Sequence, residues 1–140
     1  LSQKNIKNLP VKEKKLKIKK RYFNYLVIRT ADGKTTLQKR TRGIWLNLYE
    51  FPLIESLNDI DEKELITHEK FNQMFATLQV SVKLLNNKIK VHKLSHQHIY
   101  AKFWEISTSN SPHFLESWST IKKFPVPTLI DNFINQYNFN

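Results

Sequence analysis

The chain has 140 residues, 40% hydrophobic and 12% aromatic, with a formal net charge of +11 and no cysteine. That is the size of one domain with enough apolar side chains for a core, and it is too hydrophobic for a disordered chain. Absent cysteine excludes disulfides, thiol nucleophiles and thiolate-held metals, and no run approaches the roughly 18 apolar residues of a membrane span.

The charge is placed unevenly. Residues 1–42 carry fourteen Lys/Arg against two acids, Glu13 and Asp32, whereas residues 43–140 carry nine Lys against ten acids. The whole excess therefore lies in the first third. A solubilising tail is one reading and an edge that meets a polyanion, usually nucleic acid, is the sharper one. The start, LSQKNIKNLPVKEKK, has no apolar h-region and does not read as a signal peptide. Together with the lack of cysteine this gives a cytoplasmic expectation. Without an initial Met the chain is expected to be part of something longer.

Residues 1–16 read as a basic connector in which lysines crowd out any core, and residues 17–140 as the folded domain. From Lys17 the sequence turns strand-like, and RYFNYLVIRT is rich in aromatic and β-branched residues. Tyr22, Asn24, Leu26 and Ile28 should face one way and Phe23, Tyr25 and Val27 the other, giving a central strand covered on both sides. Asp32-Gly33 predicts a hairpin turn, with residues 34–39 as the returning strand. Residues 39–55, KRTRGIWLNLYEFPLIE, combine a basic cluster, a loop at Gly43 and a predicted strand over 45–51 that places Trp45, Tyr49 and Phe51 on one side.

Residues 59–78 read as helical. Asp61 and Glu64 fit a capping box, Thr67 is a candidate cap for a second segment, and Leu65, Phe71, Phe75 and Leu78 form the buried stripe. Residues 80–85 are a predicted strand, with 88–94 as its hairpin partner after Asn86-Asn87. The polar break Ser95-His96-Gln97 precedes another strand over 98–106. Residues 107–113 read as a surface loop and 114–118 as a short strand. Pro127 is expected at the first position of the last helix, with Leu129, Ile130, Phe133, Ile134 and Tyr137 along one face. The sum is α+β, with helices packed against a mixed sheet.

Several constellations bear on chemistry. His92, His96 and His98 share parity, but the 95–97 break interrupts the register, so their imidazoles are not expected to converge on a metal. Ser95-His96 lacks an orienting third group or a glycine elbow, which argues against a nucleophile and its base. Glu50 and Glu55 flank Pro52 and are better read as solvated or ion-paired carboxylates than as a catalytic pair. Lys39, Arg40 and Arg42 around Gly43 suit phosphate contact, as do Lys19 and Lys20.

Three stretches together carry a family resemblance: LPVKEKKLKIKKRYFNYLVI, KRTRGIWLNLYEFPLIE and KLSHQHIYAKFWEI, with KFPVPTLIDNFI at the end. The chain resembles, over nearly its whole length, the C-terminal domain of the MutY-type adenine DNA glycosylases, which remove adenine mispaired with 8-oxoguanine. The resemblance implies a Nudix-like α/β/α sandwich that recognises the lesion in double-stranded DNA. The catalytic Asp and an iron–sulfur cluster would belong to an N-terminal catalytic domain of the same polypeptide. No cofactor is then expected in this chain itself. The family's lesion-reading Phe-Ser-His triplet falls on Leu94, Ser95 and His96, with Leu94 departing from the aromatic. A serine suits the task, since oxidation turns the guanine N7 acceptor into a donor, and a hydroxyl can both accept and donate.

The rival reading is a Nudix-type nucleotide pyrophosphohydrolase. Such an enzyme needs a run of the form R-E-x-x-E-E-x-G to hold magnesium. The corresponding NDIDEKELITHEKF has acids at Asp59, Asp61, Glu62, Glu64 and Glu69 but no Arg or Gly in place, so the Nudix box is not intact. These acids read as a helix start, with negative charge near its positive end.

Overall fold

A computed structural model describes residues 17–76, 78–109 and 115–137; the connector expected over 1–16 lies outside the described residues. The centre is strand β1 (Lys19–Arg29), flanked antiparallel by β5 (Leu53–Ser56) and parallel by the equally long β8 (Gln97–Ser107). Its alternation is the expected one. Phe23, Tyr25 and Val27 enter one core with Phe51, Ile99, Ala101 and Phe103, under Ile121, Leu129, Ile130 and Ile134. Leu26 and Ile28 enter the other with Ile54, Trp104 and Ile106, under Leu65, Phe71 and Phe75. The result is an α+β sandwich, with helices on both faces of a mixed five-stranded sheet.

Asn24 sits inside this sheet, donating from Nδ2 to the Ile54 carbonyl at 3.0 Å and accepting the Trp104 indole N–H at 3.1 Å. A buried amide is tolerable where its donor and acceptor are both used.

Strand partners differ from several sequence expectations. The 30–34 turn forms, with Gly33 at φ 78 and its N–H on the Thr30 carbonyl, but the chain does not return along β1. The Thr30 N–H meets the Lys34 carbonyl at 3.1 Å, but no ladder on β1 continues from there. Residues 34–39 split into β2 (Lys34–Thr35), which pairs with β9 (Glu116–Ser117), and β3 (Gln38–Lys39), which pairs with β4 (Tyr49–Glu50). The strand expected over 45–51 shrinks to β4. Trp45 and Asn47 have φ 59 and 71 and build a loop closed by Arg40 N–H to the Leu48 carbonyl and Asn47 N–H to the Arg40 carbonyl. Trp45 and Tyr49 consequently do not share strand parity.

Strands β6 (Ser81–Leu84) and β7 (Lys90–Lys93) were expected to pair with each other. Both instead lie antiparallel along the same edge of β8, one after the other. Asn86 bridges the gap: its Nδ2 donates to the Ala101 carbonyl, and its Oδ1 accepts the Phe103 N–H at 2.7 Å. A side-chain amide thus replaces the missing ladder bonds.

The helical stretch divides into α1 (Glu62–Ile66) and α2 (Glu69–Phe75). The Asp61–Glu64 capping box is present in both directions. Thr67 ends α1 rather than starting α2, whose N-cap is His68 through Nδ1. A short helix, α3 (Trp118–Ile121), follows β9 and is capped by Ser117, where strand was expected up to 118. Pro127 is the N-cap of α4 (Thr128–Gln136), one position earlier than expected.

Candidate nucleic-acid interface

Ser95 and His96 are the exposed two-residue tip of the β7–β8 hairpin, closed by Leu94 N–H to the Gln97 carbonyl at 2.7 Å. Leu94 itself is half-buried and packs on the core beneath α4, which pins the base of the tip. The expected triplet therefore divides: one residue is an anchor and two project. The tip is tied to the basic start of β1, where Lys19 N–H reaches the His96 carbonyl at 3.1 Å and Lys19 and Lys20 are exposed.

Arg21 joins this end of the sheet to the loop at Gly43. Its guanidinium donates to Gln97 Oε1 at 3.1 Å and binds both Glu55 oxygens at 2.7 Å. Glu55 holds the Arg21 pKa above its ordinary value. Beside it opens a depression of about 370 Å³ whose lining includes Arg21, Arg42, Gly43 and, from α2, Lys70. Gly43, at φ 77, turns the loop so that Arg42 stays exposed. Sequence reasoning had not singled out Arg21 or Lys70. Arg21 did carry a signal, since it continues the Lys19-Lys20 run, whereas Lys70 reaches the depression only through the fold.

Arg40 also lines this depression, but its guanidinium is tied down within the fold. Only 10% of its side chain is exposed; Nη1 lies 3.0 Å from Glu50, itself buried, and Nε donates to the Ile44 carbonyl at 2.8 Å. Its guanidinium also lies over Phe23 and Trp45. Of the expected cluster, Lys39 and Arg42 stay on the surface and Arg40 is structural. Burial pushes the Glu50 carboxyl up, opposed by Arg40, and raises the Tyr25 phenol well above its ordinary value. Glu50 is therefore ion-paired and buried, not solvated; Glu55 is paired with Arg21 at the edge.

The acids of the helical stretch are dispersed. Asp59 pairs with Lys102 at 2.7 Å, Asp61 and Glu64 cap α1, and Glu69 accepts from Gln73. Among the described residues no three His, Cys, Asp or Glu side chains are grouped to hold a metal ion. The donor set of this stretch does not fit a magnesium-binding Nudix helix. His92 meets the Trp45 ring edge-on at 5.8 Å, while His96 is at the hairpin tip. A separate cleft of about 490 Å³ opens between β7 and α4, lined in part by Asn86, His92, Asn132, Phe133 and Gln136.

A mixed sheet between two helical layers, carrying an altered box helix, defines a Nudix-type domain. The sequence matches the NUDIX domain over residues 24–136, and the chain belongs to that family. No curated protein matches it in sequence. Among solved structures it is similar to the C-terminal domain of mouse MUTYH, solved in complex with human PCNA, at TM-score 0.58 and 14% identity over 82% of this chain and 85% of that one. It is equally similar to a MutT protein from Methanosarcina mazei, at TM-score 0.58 and 13% identity over 86% and 94% of the two chains. The E. coli ORF135 protein follows at TM-score 0.57 and 14% identity, over 91% of each. At these identities the likeness is one of fold.

Proposed function

We propose that this is a DNA-repair recognition domain of the MutY adenine-glycosylase type, which reads 8-oxoguanine opposite adenine in duplex DNA. The observation that carries the reading is the exposed Ser95-His96 tip, set between β7 and β8, tied to the start of β1 and flanked by cations. A tip fixed by Leu94, Lys19 and the Gln97–Arg21 contact is presented rigidly, as a base reader must be. The Ser95 hydroxyl answers the changed N7 edge of the oxidised base. Lys19, Lys20, Lys39 and Arg42 hold the phosphates, with Lys70 and Arg21 at the depression beside Arg42. Excision of the adenine belongs to the catalytic domain of the parent polypeptide, whose base-flipping chemistry needs groups this chain does not carry.

Titration of the chain with duplexes carrying 8-oxoguanine or guanine opposite adenine tests the reading. Binding should be weak, favour the oxidised base and fall steeply with salt. Ser95→Ala should erase the preference, and Arg42→Gln should reduce the salt slope by about 0.9 for one phosphate contact. No affinity at low salt, or a preference indifferent to Ser95→Ala, would sink it.

A second reading is favoured by the β7–α4 cleft, whose Asn132, Gln136 and Phe133 suit a nucleotide base, and by the likeness to MutT-type folds. It makes the chain a nucleotide pyrophosphohydrolase. Turnover of nucleoside diphosphate derivatives with magnesium would replace the DNA reading with this one.

A further inference from the structure

The sheet face that α1 and α2 cover is covered only in part. Its core reaches down to Trp104 and Leu26 and stops at Lys102, whose ammonium is held by Asp59 and by the Ile60 carbonyl at 2.7 Å. Below that line, Tyr22 and Tyr100 sit in register on adjacent parallel strands, half-buried rather than enclosed in the core, with rings stacked at 5.2 Å and 25°. On the opposite face of the same rows, Phe23, Ile99 and Ala101 are fully buried. One more row down, His98 faces Lys20 on one side and Lys93 on the other, and Val91, opposite Tyr100, is 43% exposed. The Lys20 ammonium lies 6.0 Å from the Tyr100 ring centre.

This is an aromatic pair on an open sheet, bordered by cations. The acids of the adjoining segments are engaged: Glu55 by Arg21, and Asp59 by Lys102. The charge selects the occupant. Residues 1–16 carry five lysines and one glutamate, the same sign as the surface, and so do not complement its charge. An anionic partner with flat rings answers both features, because base–aromatic stacking and phosphate–lysine pairing are the two terms of single-strand recognition.

We propose that the open end of this face, centred on Tyr22 and Tyr100, is a stacking platform for the unpaired bases of a single nucleic-acid strand. It takes the bases on the tyrosines and the phosphates on Lys20 and Lys93. It needs neither an oxidised guanine nor the Ser95 tip, and of the residues given to lesion reading it uses Lys20 alone.

The test is fluorescence anisotropy of the whole chain with a labelled oligothymidylate of about 8 nucleotides at low salt, a length within the range one such domain occupies. Tyr100→Leu, which keeps bulk and removes the ring, should weaken binding about tenfold, while Tyr100→Phe should bind as the parent does. Lys20→Gln and Lys93→Gln should each lower the salt slope by about 0.7, whereas Lys123→Gln, the same charge change in the exposed turn after α3, should leave it unchanged. Amide shifts on binding should centre on Tyr22, Val91, His98 and Tyr100, a reading that holds even if Tyr100→Leu fails to fold. Ser95→Ala should leave oligothymidylate affinity intact even where it removes lesion preference. The proposal is overturned by absent binding, by equal affinity for inorganic polyphosphate, by a folded Tyr100→Leu that binds unchanged, or by amide shifts confined to Ser95, His96 and Arg42.

Discussion

The two faces of the sheet are finished differently. Beneath α3 and α4 the sheet is closed from end to end: Phe23, Ile99 and Ala101 at the lower rows are as buried as Tyr25 and Phe103 above them. The 40–48 loop supplies the extra cover, with Trp45 against Phe23 and Arg40 over both rings. Beneath α1 and α2 the cover ends at Lys102, and tyrosine, histidine and lysine occupy rows that on the other face are aliphatic or aromatic core. Helices α1 and α2 have five and seven residues, too short to lie across the whole strand length. Closing one face with a loop commits charged groups to the interior, and leaving the other open releases polar side chains for partners.

The largest expected effect breaks the closed face. Arg40→Leu strands a buried Glu50 without its partner, which should cost about 3–5 kcal/mol in chemical denaturation. Replacing Glu50 by Leu as well should recover most of the loss, because a buried ion pair and its apolar substitute are often near equal. A loss below about 1 kcal/mol would show that the loop does not depend on this pair. The pH signature follows from the raised Glu50 pKa. A carboxyl with a folded-state pKa above its unfolded value binds its proton more tightly in the fold. Stability from this group is therefore greatest at low pH and declines as pH rises from the ordinary carboxylate value through the raised one. Glu50→Gln should flatten that decline in denaturation curves taken across this window.

Next comes the boundary where the open face begins. Asn24→Leu removes the acceptor of the buried Trp104 indole N–H and should cost about 2 kcal/mol. An unchanged midpoint would mean that the indole finds another acceptor. The cover of that face gives a smaller effect: Asp61→Ala removes the α1 N-cap and should cost about 1 kcal/mol, read as a shift in thermal midpoint. The open surface itself should respond least. Lys20→Gln with Lys93→Gln should change stability by no more than about 0.5 kcal/mol, while weakening nucleic-acid binding. A larger stability loss would make those lysines part of the scaffold and erase the contrast between the faces.

Much of this was legible from residue order. The two-sided burial of β1 follows from period-two alternation of large apolar residues, with Asn24 as the single polar exception, and the Asp61–Glu64 box and the Gly43 loop are local motifs readable within a few residues. The Ser95-His96 tip was visible as a polar break between strand-like runs. The altered Nudix helix was equally visible, because what it lacks are residue types.

The rest depended on contacts between residues far apart in the chain. Local patterning says that a segment is a strand but not which strand it joins, so residues 34–39 read as the return partner of β1, whereas Lys34–Thr35 pairs with β9 and Gln38–Lys39 with β4. Likewise β7 was assigned to β6, although β8 takes both. The same limit governs the basic cluster. Arg40 and Arg42 are two residues apart with the same charge, yet one is buried against Glu50 and the other exposed beside Arg21 and Lys70. Composition alone sets how much positive charge the first third of the chain carries. Which of those charges is spent holding a loop, and which is left to meet a partner, depends on the nearest carboxylate in space, and that only tertiary packing decides.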